Sequence, residues 1–379
     1  SEEYKVPNST AEQLWKFMET DLTEAITSGK LTSKTSLEDR DGGTRATLEA
    51  ARCLLGKIYL YQEKYADAKS ELEKVISSGK YDLIADVSTF YHPASAGCKE
   101  YVLECVRHYD PSNMYSQEGW FGILANWGFG YGFIAGPEAS MHYKFNTTSG
   151  YSYFNPSKSL YDAFVAEEGA DGYRLNAWIR TWEQVIAMNI AVNTTTNKYA
   201  SEGYFRLKWL ASTDDEFVGY WCGNQSNTPV IRYADVLLMA AEACLQAGDQ
   251  AGADEYLGRV RDRARLPRKS HVTLSDIKLE RRLELAMEGM RFQDLKRWGD
   301  APAVLADKGK KLPTFQIVPD PNNDLTTAAG IYNARYTTKT TYVDNEKSLA
   351  GWTPNRDEWL PFPENELEVN SNLKQNPGY

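Results

Sequence analysis

Two segments of this 379-residue chain carry the apolar spacing of helical hairpins, and that spacing restricts the fold more than any other feature. Leu48, Ala51, Leu55 and Ile58 recur at +3, +4, +3, which is one face of a helix. After Gln62-Glu63-Lys64, the set Tyr65, Ala68, Leu72 and Val75 repeats the same steps. Helices joined so closely fold back on each other. Far downstream, Ile231, Ala234, Leu238, Ala241 and Leu245 form a second stripe, Gly248 ends it, and Ala253, Leu257, Val260 and Ala264 follow. Leu55-Gly56 with Tyr59, then Ala68 and Leu72, fit the tetratricopeptide pattern of small and large residues. The chain is therefore expected to be mainly α, a tetratricopeptide-like helical repeat scaffold.

An earlier helix is expected over Ala11–Ile26, with Gly29 capping its end. ERRLELAMEGMRFQDLKRWG, 280–299, presents Leu279, Leu283, Ala286 and Met290 as one apolar face, with Ser275 or Asp276 as its N-cap. Between about 80 and 230 the helical period disappears, apart from short helices expected at 156–166 and 176–192. Beyond about 300 the chain reads as Pro-rich and irregular. The expected organisation is thus 11–83 helical repeats, 84–230 a large irregular, loop-rich, aromatic ligand-binding insertion, 231–299 helical repeats again, and 300–379 an irregular segment packed on the scaffold. Long segments without secondary structure in compact domains tend to carry function.

The insertion contains GWFGILANWGFGYGF, 119–133, with six aromatic residues, four glycines between them and no charge from Glu118 to Glu138. As a membrane span, 119–137 is long enough, but six glycines and Asn126 interrupt it, and Phe129, Tyr131 and Phe133 alternate with glycine, so it is not a span. Packing of these rings into a satellite core is one reading. The other is a stacking platform: the apolar C–H faces of sugars lie on indole and phenol rings while amides bind the hydroxyls. Trp120, Trp127 and Tyr131 supply rings and Asn126 an amide; Trp221, in Tyr220–Gln225, and Trp182, near Trp178, have the same character. Nucleobases stack on such rings too, but a net charge of −10 argues against nucleic acid and against docking on an anionic membrane through basic side chains.

Glu280, Glu284 and Glu288 fall at i, i+4, i+8, an arrangement of like charges that needs cations beside it. Arg281, Arg282, Arg291 and Arg297 are close in sequence, and Arg232 can reach across, so the expectation is a salt-bridge lattice joining repeats. Asp214-Asp215-Glu216 and Glu167-Glu168 read as solvated surface, and Glu118 with Glu138 is the credible pair for glycosidase chemistry. The four histidines form no HExxH motif, and no GxSxG, P-loop or complete dinucleotide fingerprint occurs. No catalytic residue, metal or cofactor is expected. Of the five cysteines, Cys53 and Cys244 sit in apolar helical patterns as buried thiols, while a Cys98–Cys105 disulfide stays open.

Several separated motifs then point to a family. They are Arg45-Ala46-Thr47 leading into Ala50–Leu60, Val75-Ile76, Gly79–Leu83, and Asn155-Pro156 with Leu160, Phe164 and Asp171-Gly172. IRYADVLLMAAEA (231–243), VRDRARLP (260–267), the 280–299 segment and WLPFPENELEVNSNLKQNPGY (359–379) complete the set. In these the chain resembles the SusD/RagB family of Bacteroidetes outer-membrane nutrient-binding lipoproteins. The resemblance implies tetratricopeptide-like helices carrying an irregular binding insertion, and a non-enzymatic role. That role is capture of oligosaccharide, or in some members peptide, at the cell surface for a TonB-dependent SusC-like transporter. A tetratricopeptide adaptor for partner proteins is the alternative from another class. Family members begin with a lipoprotein signal, a lipidated cysteine and further helices before the segment matching Glu12–Ile26. This sequence opens SEEYKVPNST, so the lipid anchor and the start of the family fold are expected to lie outside it.

Overall fold

In the computed structural model, residues 5–106, 155–187, 201–208, 227–324, 335–345 and 350–379 are described, with short stretches at 133–134, 191–192, 198–199, 326–327 and 330. Helix α1 (Ala11–Thr27) starts at a capping box: Gln13 N donates to Thr10 Oγ1 at 3.2 Å, and Thr10 N donates to Gln13 Oε1 at 2.8 Å. Gly29, at φ +66°, turns the chain away beyond its end. Helices α2 (Leu48–Tyr61) and α3 (Tyr65–Ser77) form the first hairpin, with α1 against α2. Gly56 lets the two close: a Cβ there would lie 2.8 Å from Leu72 Cγ.

Strand β1 (Tyr101–Cys105) leads out of this layer. Where 156–166 and 176–192 were expected to be helical, α4 (Lys158–Glu168) and α5 (Tyr173–Trp178) form, and strand β2 (Ile179–Thr181) separates them from α6 (Trp182–Ala187). Strand β2 pairs antiparallel with β3 (Tyr204–Arg206). Strand β4 (Thr228–Arg232) returns beside β1, with Tyr101 opposite Arg232 and Cys105 opposite Thr228. The chain between 106 and 227 thus leaves and re-enters the scaffold on one two-stranded ladder.

Helices α7 (Tyr233–Gln246) and α8 (Gln250–Arg263) are the second hairpin, and α7 lies against α3. From Tyr233 to Cys244 every residue of α7 is buried, as a helix surrounded by others requires. The main core gathers Leu72, Val75, Val236, Leu237, Leu257 and Val260 with their neighbours. A second cluster, around Phe90, Tyr101, Phe164, Leu175 and Trp178, joins α4 and α5 to the scaffold.

Three expectations are corrected here. The N-cap of α9 (Leu274–Glu284) is Thr273, and Asp276 sits inside the first turn, closing a capping box back to Thr273 N at 2.9 Å. The 280–299 segment is not one helix: α9 ends at Glu284, Met287 (φ +65°) and Gly289 (φ +81°) turn the backbone, and α10 (Arg291–Arg297) begins afresh. The tail is not irregular throughout: β5 (Lys311–Pro319) and β6 (Tyr336–Asp344) pair antiparallel along their full length, and α11 (Glu364–Val369) follows. Most of β6 faces solvent, so the apolar alternation that marks a strand is missing from its sequence. Side-chain amides of Asn8, Asn370 and Asn372 then tie residues 5–8 to the C-terminal segment.

Cys98 and Cys105 are free thiols, Cys98 buried and Cys105 exposed. Burial pushes the Cys98 thiol up to about 11 and that of Cys53 well above its ordinary value. Among Cys53, Cys98, Cys105 and Cys244, alkylation of the native protein at neutral pH should therefore label Cys105 first, the other three reacting after unfolding. Peptide mass spectrometry across a time course checks this; equal early labelling of Cys98 would contradict the packing.

Candidate functional site

The acidic face of α9 meets its cations from elements far away in sequence. Glu284, fully buried, accepts from Arg232 Nη1 and Nη2 at 3.1 Å each, from Arg174 Nη1 at 3.0 Å and from Arg263 Nη2. Glu280 takes Arg174 Nη1 at 2.5 Å and Arg261 Nη1 at 3.1 Å. The turn after α9 brings Glu288 back to the same place, where it accepts from Arg232 Nε at 2.8 Å and Nη2 at 2.6 Å. Glu100, next to β1, accepts from Arg232 Nη1 at 2.6 Å and Arg263 Nη1 at 3.1 Å. Arg232, the last residue of β4, is thereby bound to three carboxylates, and its guanidinium lies 4.7 Å from the Phe90 ring centroid.

Of the five lattice residues named from sequence, Glu280, Glu284, Glu288 and Arg232 meet in this network. Arg291 does not: it is half-buried at the start of α10 with no carboxylate on its guanidinium among the described residues. The remaining cations, Arg174, Arg261 and Arg263, were missed, as was Glu100. Glu168, expected on the surface, has its side chain buried and holds Arg174 Nε at 2.7 Å, and Glu167 accepts from Arg261 Nη1 at 2.6 Å. Arg281 and Arg297 serve a second network: Arg281 donates to Asp294 and Asp235 at 2.9 and 2.8 Å, and Arg297 binds Asp294 at 2.9 Å and Glu242 at 2.5 and 2.7 Å.

Burial alone would raise the Glu284 carboxyl, but Arg263, Arg232 and Arg174 outweigh it and hold it far below the usual carboxylate range. Glu288 is lowered for the same reason by Arg232 and Lys208, whereas burial dominates at Glu100 and Glu168 and raises both. A carboxyl depressed in the folded state stabilises above its unfolded value and loses that contribution as pH falls. The stability difference between wild type and Glu284→Gln should accordingly stay level from about pH 8 to 6 and shrink below about pH 4.5. Urea unfolding at a series of pH values measures it; a difference that widens on acidification would refute the charge assignment.

The lattice fixes the root of the insertion. Lys208, the last described residue before 209–226, is fully buried with its ammonium 2.5 Å from Glu288 Oε1, 2.9 Å from the Glu284 carbonyl and 3.8 Å from the Trp178 ring centroid. Burial lowers its pKa to about 8. Glu100 and Arg232 thus fix the β1–β4 ladder, and Lys208, just beyond β3, ties the chain there to the end of α9 and the turn after it. Trp120, Asn126, Trp127, Tyr131 and Trp221 lie outside the described residues, as do Glu118, Glu138 and Asp214–Glu216. Trp182 is described and corrects an expectation: only 2% exposed, its ring packs 5.7 Å from Phe205 and 5.8 Å from Phe315. It fills the interior and offers no face to a ligand. Trp178 is interior too, its indole N–H donating to the Val87 carbonyl at 3.2 Å.

Among the described residues, Glu73, Cys244 and Asp249 bring three metal-ligand atoms within 4.8 Å of one another. Lys69 already supplies a cation there, 2.7 Å from Asp249 Oδ2, and Tyr256 donates to Glu73 at 3.1 Å. Also among the described residues, no helix is long and apolar enough to cross a membrane.

Two helical hairpins packed through α7 against α3 make a scaffold of tetratricopeptide-like repeats. The chain belongs to the SusD family, whose model matches residues 99–379. It is similar to the SusD-like protein P2 of Formosa agariphila, 26% identical over 362 residues, covering 87% of this chain and 59% of that one. A SusD-like protein of Bacteroides ovatus is 31% identical over 170 residues, 40% of this chain and 29% of that one. The chain therefore spans less than two thirds of these curated relatives. Among solved structures it is similar to a laminarin binding SusD-like protein, at 27% identity and TM-score 0.72, covering 98% of this chain and 70% of that one. It is also similar to surface glycan-binding protein A from Bacteroides thetaiotaomicron in complex with laminarihexaose, at 24% identity and TM-score 0.69, covering 98% and 72%. The mainly helical, tetratricopeptide-like fold expected from the apolar spacing is the fold of these SusD-like proteins.

Proposed function

We propose that this chain is a non-catalytic glycan-binding protein of the outer-membrane surface, which captures oligosaccharide and hands it to a TonB-dependent SusC-like transporter. The observation that carries the reading is the similarity over 98% of the chain to a laminarin binding SusD-like protein. The 107–226 region supplies the binding face, with Trp120, Trp127 and Tyr131 stacking on sugar rings, Asn126 binding hydroxyls and Trp221 contributing a second patch. The helical repeats and the ion lattice hold that region in place and face the transporter.

Isothermal titration calorimetry of the whole chain with laminarihexaose and maltohexaose tests the ligand class, with chromatography of the mixture over a day to detect cleavage. Saturable binding of a hexasaccharide that is recovered intact is expected. Release of shorter sugars that stops in Glu118→Gln or Glu138→Gln would make the protein a hydrolase. Saturable binding of peptides with none of any glycan would turn the reading to a peptide-binding member. A separate arm mixes the purified chain with the SusC-like protein, where a stable complex is expected on gel filtration.

A further inference from the structure

Three tyrosines from separate elements gather around one carboxylate beside the β5–β6 hairpin. Tyr342, on β6, is 50% exposed, and its hydroxyl donates to Glu202 Oε1 at 2.6 Å. Glu202 Oε2 accepts from the backbone N–H of Lys158, the first residue of α4, at 2.5 Å. Two residues beyond Glu202, Tyr204 on β3 stacks on Tyr161 of α4, with ring centroids 4.5 Å apart and planes at 27°. Gly203 between them lets the chain close on the hairpin: a Cβ there would lie 2.5 Å from Phe315 Cε2. Phe315 and Tyr342 share one face of the ladder, since Phe315 lies opposite Thr340 and Tyr342 is two residues further along. On α4, Lys158 and Asp162 are exposed and pair at 2.6 Å.

A single exposed tyrosine calls for no explanation. Tyr342 differs in being held: the bond to Glu202 keeps its hydroxyl protonated, with a pKa pushed up to about 12, and fixes the ring in place. A ring already ordered loses little side-chain freedom when a ligand stacks on it. Each Glu202 oxygen has taken one donor and retains a further lone pair, so the carboxylate can accept from two neighbouring hydroxyls. Tyr161 and Tyr204 pack inward on the second core cluster but are only half-buried, which gives the site a rigid aromatic wall. Rings for the apolar C–H face of a pyranose and acceptors for its adjacent hydroxyls are what a sugar subsite requires. Two carboxylates and one ammonium leave the spot net negative, which favours a neutral sugar over a uronic or sulfated one. We propose that Tyr342, Glu202 and the stacked Tyr161–Tyr204 pair form a subsite for a neutral hexopyranose of a longer glycan. The subsite rests on the glycan reading and adds to it a contact from the 300–379 segment, using none of the rings of 119–133 and not Trp221.

Hydroxyl-radical footprinting of the whole chain tests the site, read by peptide mass spectrometry with and without laminarihexaose or maltohexaose. Oxidation of Tyr342 should slow saturably with sugar relative to Tyr379, which is 48% exposed and belongs to no part of the subsite. In calorimetric titration with the same hexasaccharide, Tyr342→Ala and Glu202→Gln should each bind about tenfold more weakly. Val343→Ala removes an exposed side chain from the opposite face of the ladder and should bind as wild type. Thermal unfolding of the same variants should give a Tm close to wild type, because the groups removed lie at the surface. Saturable heat from the wild type with Tyr342 unprotected, or with Tyr342→Ala as tight as wild type, overturns the subsite and leaves the glycan reading standing. Absence of both heat and protection with either sugar removes the glycan reading and the subsite together.

Discussion

Glu284→Ala should destabilise the chain by roughly 3–5 kcal/mol, the largest single-residue loss expected in this molecule. Three guanidiniums, from α5, β4 and α8, converge on this one carboxylate, and no part of it reaches solvent. Removing the acceptor leaves Arg174, Arg232 and Arg263 buried with one fewer negative charge between them. Glu100, Glu280 and Glu288 each compensate only the arginine edge they already hold. The charge imbalance, more than the lost pair energies, sets the size of the effect, because an uncompensated buried charge is what the interior tolerates least. Glutamine keeps a neutral acceptor of the same shape and should lose less. The midpoint of urea unfolding moves while its slope stays constant. Below the transition, the folded alanine variant should bind glycan as wild type does, because the lattice acts on the root of the insertion and not on its ring face. A loss under about 1 kcal/mol would mean that the network is no stronger than a set of surface pairs. Selective loss of binding at full stability would move Glu284 from the scaffold to the site.

The sequence made the hairpins legible because each has one strictly spaced apolar face, and the stripe from Ile231 to Leu245 even announces the helix that becomes central. It made only half of the lattice legible. Glu280 and Glu284 stand out at helical spacing, but Arg174 lies 106 residues from Glu280 and Arg263 lies 163 from Glu100, so nothing local pairs them. Arg291 misled for the opposite reason: nearness in sequence suggested a partner, but the turn at Met287 and Gly289 carries its α10 start away from the acids of α9. Glu167-Glu168 looked like surface because two adjacent acids in polar sequence usually are; the cations that bury them arrive from α5 and α8. Trp182 shows the same limit for aromatic residues. A ring beside polar residues has the composition of a binding platform, yet Phe205 and Phe315, brought in by β3 and β5, turn it into core.

That limit decides how the rings of 119–133 should be tested, since composition alone does not separate a platform from a satellite core. Trp127→Ala and Trp120→Ala should each weaken oligosaccharide binding about tenfold, because a stacked ring contributes on the order of 1 kcal/mol or more. The double variant should lose most of the affinity. Stability discriminates between the readings independently. A ring buried as core costs about 3–5 kcal/mol when truncated to alanine, by lost transfer and by the cavity left behind. A ring that waits on the surface for a sugar costs a few tenths at most. Calorimetric titration with laminarihexaose beside urea unfolding of the same variants therefore gives two readouts with opposite expectations. Affinity lost with stability kept makes Trp120 and Trp127 the sugar platform. Stability lost with affinity kept returns them to packing, as happened to Trp182, and shifts the binding face toward Trp221, where the same pair of measurements on Trp221→Ala applies.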